Sequence, residues 1–238
     1  MMIEKPLLQV TNLQISILQQ KQWRSLVQDV SFSITQGETV ALTGPSGCGK
    51  SITAQAIVGL LDSSFKVTSG KIIYEDRDVL SFQEKQWLLL RRQEISLFIQ
   101  QSLSGLDPIR TVRKQMLETV KLNQAISKKE REFYLSSLLE KVGFHDPELI
   151  LSSYPFELSG GMRQRVLLAL VLSLQPKVII ADEPTTALDV VNREKVIQLF
   201  KSLQHDLGLT MLLISHDEQS VKKIADRVLT MERGGILP

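Results

Sequence analysis

A single cysteine among 238 residues rules out an internal disulfide, so nothing in the chain asks for an oxidising compartment and a reducing cytoplasm is the simpler setting. The same scarcity excludes a cysteine-based zinc cluster. An excess of one charge sign is also missing: 28 basic residues face 26 acidic ones, for a formal net charge of +2. That balance argues against a protein built to wrap nucleic acid, and no nucleic-acid partner is expected. Long hydrophobic runs are absent as well. The N-terminus MMIEKPLLQVTN has no apolar stretch of signal-peptide length, and the longest one, Val166 to Leu172, falls far short of the roughly 20 residues that span a bilayer. What is present, 43% hydrophobic and 23% charged residues, is the composition of a globular chain and excludes a disordered or fibrous one. The length suits one large domain, or one domain with a smaller lobe.

The first third is rich in β signals, with LLQVTNLQISIL, LVQDVSFSIT and ETVALTG alternating Val, Ile, Thr and Phe against polar residues. After Gly49 the apolar spacing of KSITAQAIVGLL turns helical and stops near Asp62. A short strand IIYED, a helix in FQEKQWLLLRR and a strand ISLFIQQ follow. From Thr111 to about Leu151 the chain reads as helix, with Val112, Met116, Leu117 and Val120, then Phe133, Leu135, Leu138, Leu139 and Val142, on faces of period near 3.6. The remainder alternates GMRQRVLLALVLSL, KVIIADE, VVNREKVIQLFKSLQHDLG, TMLLISH, DEQSVKKIADR and RVLTMER as helix, strand, helix, strand, helix, strand. Strands separated by helices of this length predict parallel pairing in an α/β sheet. No internal repeat or low-complexity linker stands out.

Gly44-Pro45-Ser46-Gly47-Cys48-Gly49-Lys50-Ser51 fits the pattern GxxxxGK[ST] and lies between a predicted strand and a predicted helix. Glycines let successive backbone N–H groups turn toward a polyphosphate, and the helix N-terminus adds its positive end. Lys50 reaches the terminal phosphates and the Ser51 hydroxyl suits Mg²⁺. Cys48 contributes its backbone more than its sulfur. A second feature, Val178 to Glu183, is an apolar run ending in two acids, as expected of a buried parallel strand that delivers carboxylates at its C-terminal end. Alone it would be a weak signal. Behind a phosphate loop, Asp182 is expected to help hold Mg²⁺ and Glu183 to polarise the attacking water.

Leu158-Ser159-Gly160-Gly161-Met162-Arg163-Gln164-Arg165 resembles the LSGGQ signature of ATP-binding-cassette (ABC) ATPases, with Met162 in place of the signature Gln. A Ser and two glycines opening a helix make a second anion-binding end. The resemblance covers almost the whole chain and implies an ATP- and Mg²⁺-dependent ATPase. It implies an α/β P-loop NTPase core with a mostly parallel sheet, an N-terminal antiparallel β subdomain and a helical subdomain. Residues 1–100 and 156–238 would form the core with its β subdomain, and residues 101–155 the helical lobe. By the same resemblance Gln100 is the Q-loop glutamine that contacts Mg²⁺ and water, Thr186 to Asp189 form the D-loop, and His216 is the switch histidine at the γ-phosphate. Ile52 stands where many relatives carry a hydroxyl residue near the α-phosphate. Trp23 lies near the place from which the family stacks an aromatic ring on adenine, the alternative being a partly exposed loop tryptophan covering the small sheet.

Tyr154-Pro155-Phe156-Glu157, ADEPTTALDV and Gln101 to Pro108 resemble the importer ATPases for dipeptides, oligopeptides, nickel and metal–chelator complexes, although relatives usually have His at the position of Phe156. The short C-terminal end and the segment Lys114 to Thr119 lean toward the nickel or metallophore importers. The resemblance implies a head-to-tail dimer with a homologous ATPase, expected to be a heterodimer. It also implies two membrane permease subunits, a solute-binding protein beyond them, and a peripheral position on the cytoplasmic face of the inner membrane. An export or lipoprotein-extraction ATPase would share every catalytic residue. A soluble ABC protein would usually show two cassettes or a coiled-coil insertion.

Overall fold

A computed structural model describes residues 5–99, 105–122, 126–185 and 190–237, with only the backbone described at 190–192 and 219. The chain opens with two long strands, β1 (Leu8–Gln19) and β2 (Gln22–Ile34), joined by a tight turn at Gln20 and Lys21. Next come β3 (Thr39–Thr43), helix α1 (Lys50–Ile57), β4 (Phe65–Tyr74), β5 (Arg77–Asp78), α2 (Glu84–Gln93) and β6 (Ile95–Ile99). Strands β2-β1-β4-β5 make one antiparallel sheet. The strand expected at IIYED therefore starts seven residues earlier, at Phe65. Gly70 disguised it as a turn, whereas its positive φ lets β4 pass close to Asn12 and Leu13 at an irregularity in the pairing with β1.

Among the described residues, the stretch expected to be helical from Thr111 to about Leu151 holds α3 (Val112–Lys121), α4 (Arg131–Lys141) and α5 (Pro147–Ser152). The break after α4 has a local cause. Gly143 takes a positive φ, and the Asp146 carboxylate accepts from the Leu149 N–H ahead of Pro147 at the start of α5. Within α4, Leu135, Leu138 and Leu139 face inward, but Phe133 is 81% exposed. Two positions apart on a helix point to nearly opposite sides, so Phe133 does not share the stripe assigned to it.

The longer α6 (Gly160–Ser173) leads into β7 (Val178–Asp182), α7 (Val190–Leu207), β8 (Thr210–Ser215), the single turn α8 (Glu218–Val221), β9 (Arg227–Glu232) and β10 (Gly235–Ile236). DEQSVKKIADR thus forms a shorter helix than its composition suggests, since Asp217 caps α8 through the Ser220 N–H and the chain turns to bury Ile224. The second sheet runs β10-β9-β3-β8-β7-β6; β9, β3, β8, β7 and β6 pair in parallel as expected, and only the terminal β10 is antiparallel.

Strand alternation divides the interior in two. Ala41, Ile179, Ala181, Met211 and Leu213 face a core shared with α3 to α7. Val40, Leu42, Val178, Ile180, Leu212 and Ile214 face the opposite core, built with α1 and the antiparallel sheet. The parallel sheet is the middle layer, which explains why its strands read as nearly continuous apolar runs. Each fully buried Leu or Ile here contributes about 1.5–3 kcal/mol of transfer free energy. Among the described residues no helix is long and apolar enough to cross a membrane.

Candidate nucleotide site

Parallel register gathers the site. Thr43 pairs with Ser215, and Asp182 with Ile214, so the next residues along the chain, Gly44, His216 and Glu183, emerge together beyond the C-terminal edge of the sheet. That edge is where open α/β sheets take their ligands. From β3 the chain turns through the glycine loop into α1. At Gly44 a Cβ would stand 2.0 Å from the Met231 carbonyl oxygen, and at Gly49 it would strike the Val27 and Met231 side chains at 2.8 and 2.9 Å. Both residues have positive φ, 138° and 110°. Only glycine lets the loop press against β2 and β9 in this conformation.

Lys50 is 5% exposed, and its Nζ donates to the carbonyls of Gly44 at 2.8 Å and Pro45 at 2.9 Å. Cys48 Sγ lies 3.8 Å from the same ammonium, and the Cys48 N–H donates to the Pro45 carbonyl. The thiol is buried in the core beside the antiparallel sheet, in keeping with a packing and backbone role. Ser51 Oγ donates to Asp182 Oδ1 at 2.8 Å. Burial holds the Asp182 carboxyl above the usual carboxylate range; the Ser51 hydrogen bond opposes this, the Glu183 charge adds to it and the Lys50 charge opposes it.

Glu183 adopts φ 51°, uncommon for a residue with a side chain. Its N–H donates to the Ile214 carbonyl at 2.9 Å, and its Oε2 lies 2.8 Å from His216 Nδ1. Lys50, Ser51, Ile52, Glu183 and His216 line one cavity of 520 Å³ together with Ser46, Gly47 and Gly49. The structure therefore brings together the phosphate loop, the second carboxylate and the histidine expected from the sequence. Gln100 and Asp189 lie outside the described residues, as do Thr186 to Leu188.

Trp23 does not join them. Across the β1–β2 turn Trp23 pairs with Leu18 while Arg24 pairs with Ile17, so Trp23 points to the face opposite Ile17 and is 49% exposed. The apolar wall of the cavity is made instead by Ile17, Leu26 and Phe65, with Ile17 and Phe65 directly paired between β1 and β4. Sequence reasoning missed this trio because it depends on strand register between distant segments; β alternation within LQISIL could have nominated Ile17.

Ser159 caps α6, its Oγ accepting from the Met162 N–H at 3.3 Å, and a Cβ on Gly160 would meet nothing within 4 Å. Ser159 and Gly161 line a different cavity, of 620 Å³, with Val142, Arg165 and Leu199. None of its lining residues belongs to the phosphate loop.

The family model described as ABC transporter matches residues 27–186. The oligopeptide transport ATP-binding protein AppD of Bacillus subtilis (strain 168) is 43% identical over 97% of this chain and 71% of its own length. The metal-staphylopine import system ATP-binding protein CntD of Staphylococcus aureus (strain NCTC 8325 / PS 47) is 44% identical over 89% of this chain and 78% of its own. Among solved structures, the dimeric ATP-binding cassette MJ0796 bound to ADP and Pi superposes with a TM-score of 0.83 at 27% identity, covering 97% of both chains. With its glycine loop, Glu183 and His216 converging on one cavity, Asp182 bonded to Ser51 beside it, and these likenesses spanning nearly its whole length, the chain belongs to the ABC transporter family, among its ATP-binding subunits.

Proposed function

We propose that this chain is the ATP-hydrolysing motor of an ABC importer that takes up short peptides, nickel or a metal–chelator complex through separate membrane subunits. The observation that carries the hydrolytic part is the convergence of Lys50, Ser51, Glu183 and His216 on one cavity. Import, with peptide and metal–chelator cargo, rests on the likeness to AppD and CntD, and nickel on the resemblance to the nickel importers. We assign the phosphate loop, Asp182, Glu183, His216, Gln100, Asp189 and Ser159 to Gly161 the roles the family gives them, and Phe65 with Ile17 and Leu26 the base-facing wall. Residues 101–155 would act as the helical lobe of a single cassette.

An incoming polyphosphate would meet the N–H groups of the loop and take over the Lys50 ammonium, now held by two loop carbonyls. Glu183 would accept the proton of the attacking water as the bond from the γ-phosphorus to the ADP oxygen breaks, releasing ADP and inorganic phosphate. His216 orients that carboxylate through Nδ1. Ser51 and Asp182 offer a hydroxyl and a carboxylate side by side, a hard oxygen donor set that would hold Mg²⁺. When bound, Mg²⁺ neutralises charge on the phosphoryl oxygens.

The cavity that holds Ser159 and Gly161 is separate from the phosphate loop of the same chain, which supports a head-to-tail dimer in which each signature end closes on the partner's nucleotide. The partner would be a homologous ATPase, giving a heterodimer beneath two permeases served by a solute-binding protein at the inner membrane's cytoplasmic face. Copurification of the chain with its membrane partners, followed by uptake assays with nickel, metallophore complexes and short peptides, tests this reading. Uptake of one such solute dependent on ATP and on Lys50 is expected; an assembly that only exports or extracts would overturn it.

A further inference from the structure

The turn that carries Glu183 is strained and lies beside a helix that does not belong to the sheet. Glu183 sits in the left-handed region at φ 51°, a conformation that persists only where the surroundings over-determine it. Two of its restraints come from β8 and the turn beyond it: the Ile214 carbonyl, 2.9 Å from the Glu183 N–H, and His216 Nδ1, 2.8 Å from Oε2. A third comes from α6. Gln164 Nε2 donates to the carbonyl of Pro184, the residue that follows Glu183. Pro184 is buried, and a carbonyl can only accept, so the amide must present its NH2 group to it. Without that donor the Pro184 carbonyl becomes a part-buried acceptor that has lost this hydrogen bond, and the turn loses its tie on that side.

We propose that Gln164 is a positioning residue for hydrolysis: by holding the Pro184 carbonyl it fixes the turn that aims Glu183, and it joins that turn to the helix opened by Ser159, Gly160 and Gly161. Ser159 and Gln164 lie less than two helical turns apart on α6, so its N-terminal end and this hydrogen bond move as one rigid element. A displacement of α6 when its N-terminus meets the partner's nucleotide is thereby felt at the water-polarising carboxylate of the same chain. The cross-talk needs no mobile loop, only a rigid helix with a phosphate-binding end and a side chain on its own catalytic turn. The inference rests on the reading of Glu183 as the water-polarising group.

Two near-isosteric substitutions remove the donor while keeping length and packing: Gln164→Met, and Gln164→Glu, whose ionised carboxylate can only accept. Steady-state hydrolysis of Mg·ATP is measured for the full chain assembled with its partners, alongside ATP binding, thermal unfolding and Glu183→Gln. Both Gln164 variants should lose at least about ten-fold in kcat, the scale of a misaimed catalytic group, while KM, ATP affinity and unfolding midpoint stay within about two-fold or a few degrees of wild type. Wild-type kcat in the Gln164 variants, with Glu183→Gln stalled, overturns the inference and spares the role of Glu183. Continued turnover in Glu183→Gln overturns the reading of Glu183 itself. A fall in kcat matched by loss of ATP affinity or of unfolding temperature means that Gln164 is only structural, and also overturns the inference.

Discussion

Asp182 occupies a place where an ionised carboxylate is poorly solvated, and burial holds its pKa above the ordinary carboxylate value despite the Ser51 hydroxyl. The folded chain therefore binds that proton more tightly than the unfolded chain does. The associated stability is present in full below the ordinary carboxylate pKa and is lost as pH rises through the raised one. Asp182→Asn keeps an acceptor for Ser51 and removes the buried charge. The nucleotide-free variant should unfold at a higher temperature than wild type at pH 7, the gain shrinking toward pH 4, while hydrolysis is lost. An unchanged or lower midpoint at pH 7 would mean that burial of the charge is not what unsettles this corner. The apolar wall of Ile17, Leu26 and Phe65, proposed to face the base, permits a second prediction at this scale. Phe65→Ala should weaken ATP binding by about 1–3 kcal/mol, the range for base–aromatic stacking, whereas Trp23→Ala, on the other face of the sheet, should change it by less than about two-fold. Titration with a fluorescent nucleotide separates the two, and the opposite ranking would return the base to Trp23. These residues also mark where the sequence was legible. Glycines, Lys50 and the terminal acids belong to short segments whose chemistry is local, but the wall arises from pairing between β1 and β4, and no local pattern carries a register.

At the scale of elements, identities were readable from a clean helical period, as in α3 with Val112, Met116 and Val120 on one face, or from a short unbroken apolar run, as in β7, and boundaries failed where capping chemistry intervened. Asp146 with Pro147, and Asp217 with Ser220, stop or start helices through side-chain acceptors that an apolar stripe does not register. The most consequential cap is Ser159 on α6. Ser159→Ala should cost about 1 kcal/mol of stability, the usual value for losing a hydroxyl N-cap. Its effect on turnover should exceed that loss if, as proposed, the same hydroxyl belongs to the end of the helix that meets the partner's nucleotide. In a mixed dimer of wild-type and Ser159→Ala chains, the nucleotide on the wild-type phosphate loop should be the one hydrolysed slowly. A defect confined to the variant's own loop would contradict the head-to-tail arrangement.

For the whole molecule, the decisive geometry is a separation. The phosphate loop and the signature end open onto different cavities of one chain, of 520 and 620 Å³, although both are helix N-termini suited to anions. A nucleotide bound at the first would leave the second unfilled, and under the proposed head-to-tail arrangement a second cassette would satisfy both at once. In that arrangement ATP would act as an adhesive: beyond its contacts to its own phosphate loop it would gain contacts to the partner's signature end only in the dimer, and so would favour association by mass action. Hydrolysis would then dissolve that adhesive. Glu183→Gln should stop it, lowering kcat by about 10²–10⁴, the contribution of a positioned general base, while leaving the loop contacts to the phosphates intact. The variant with Mg·ATP should therefore sediment or elute as a dimer, and with ADP as a monomer. Adding Ser159→Arg, which places a bulky side chain at the helix end meant for the partner's phosphate, should abolish the dimer without weakening ATP binding on the chain's own loop. If Glu183→Gln with Mg·ATP stays monomeric in the presence of its homologous partner, then nucleotide does not bridge two cassettes, and the two separate anion-binding ends need another explanation.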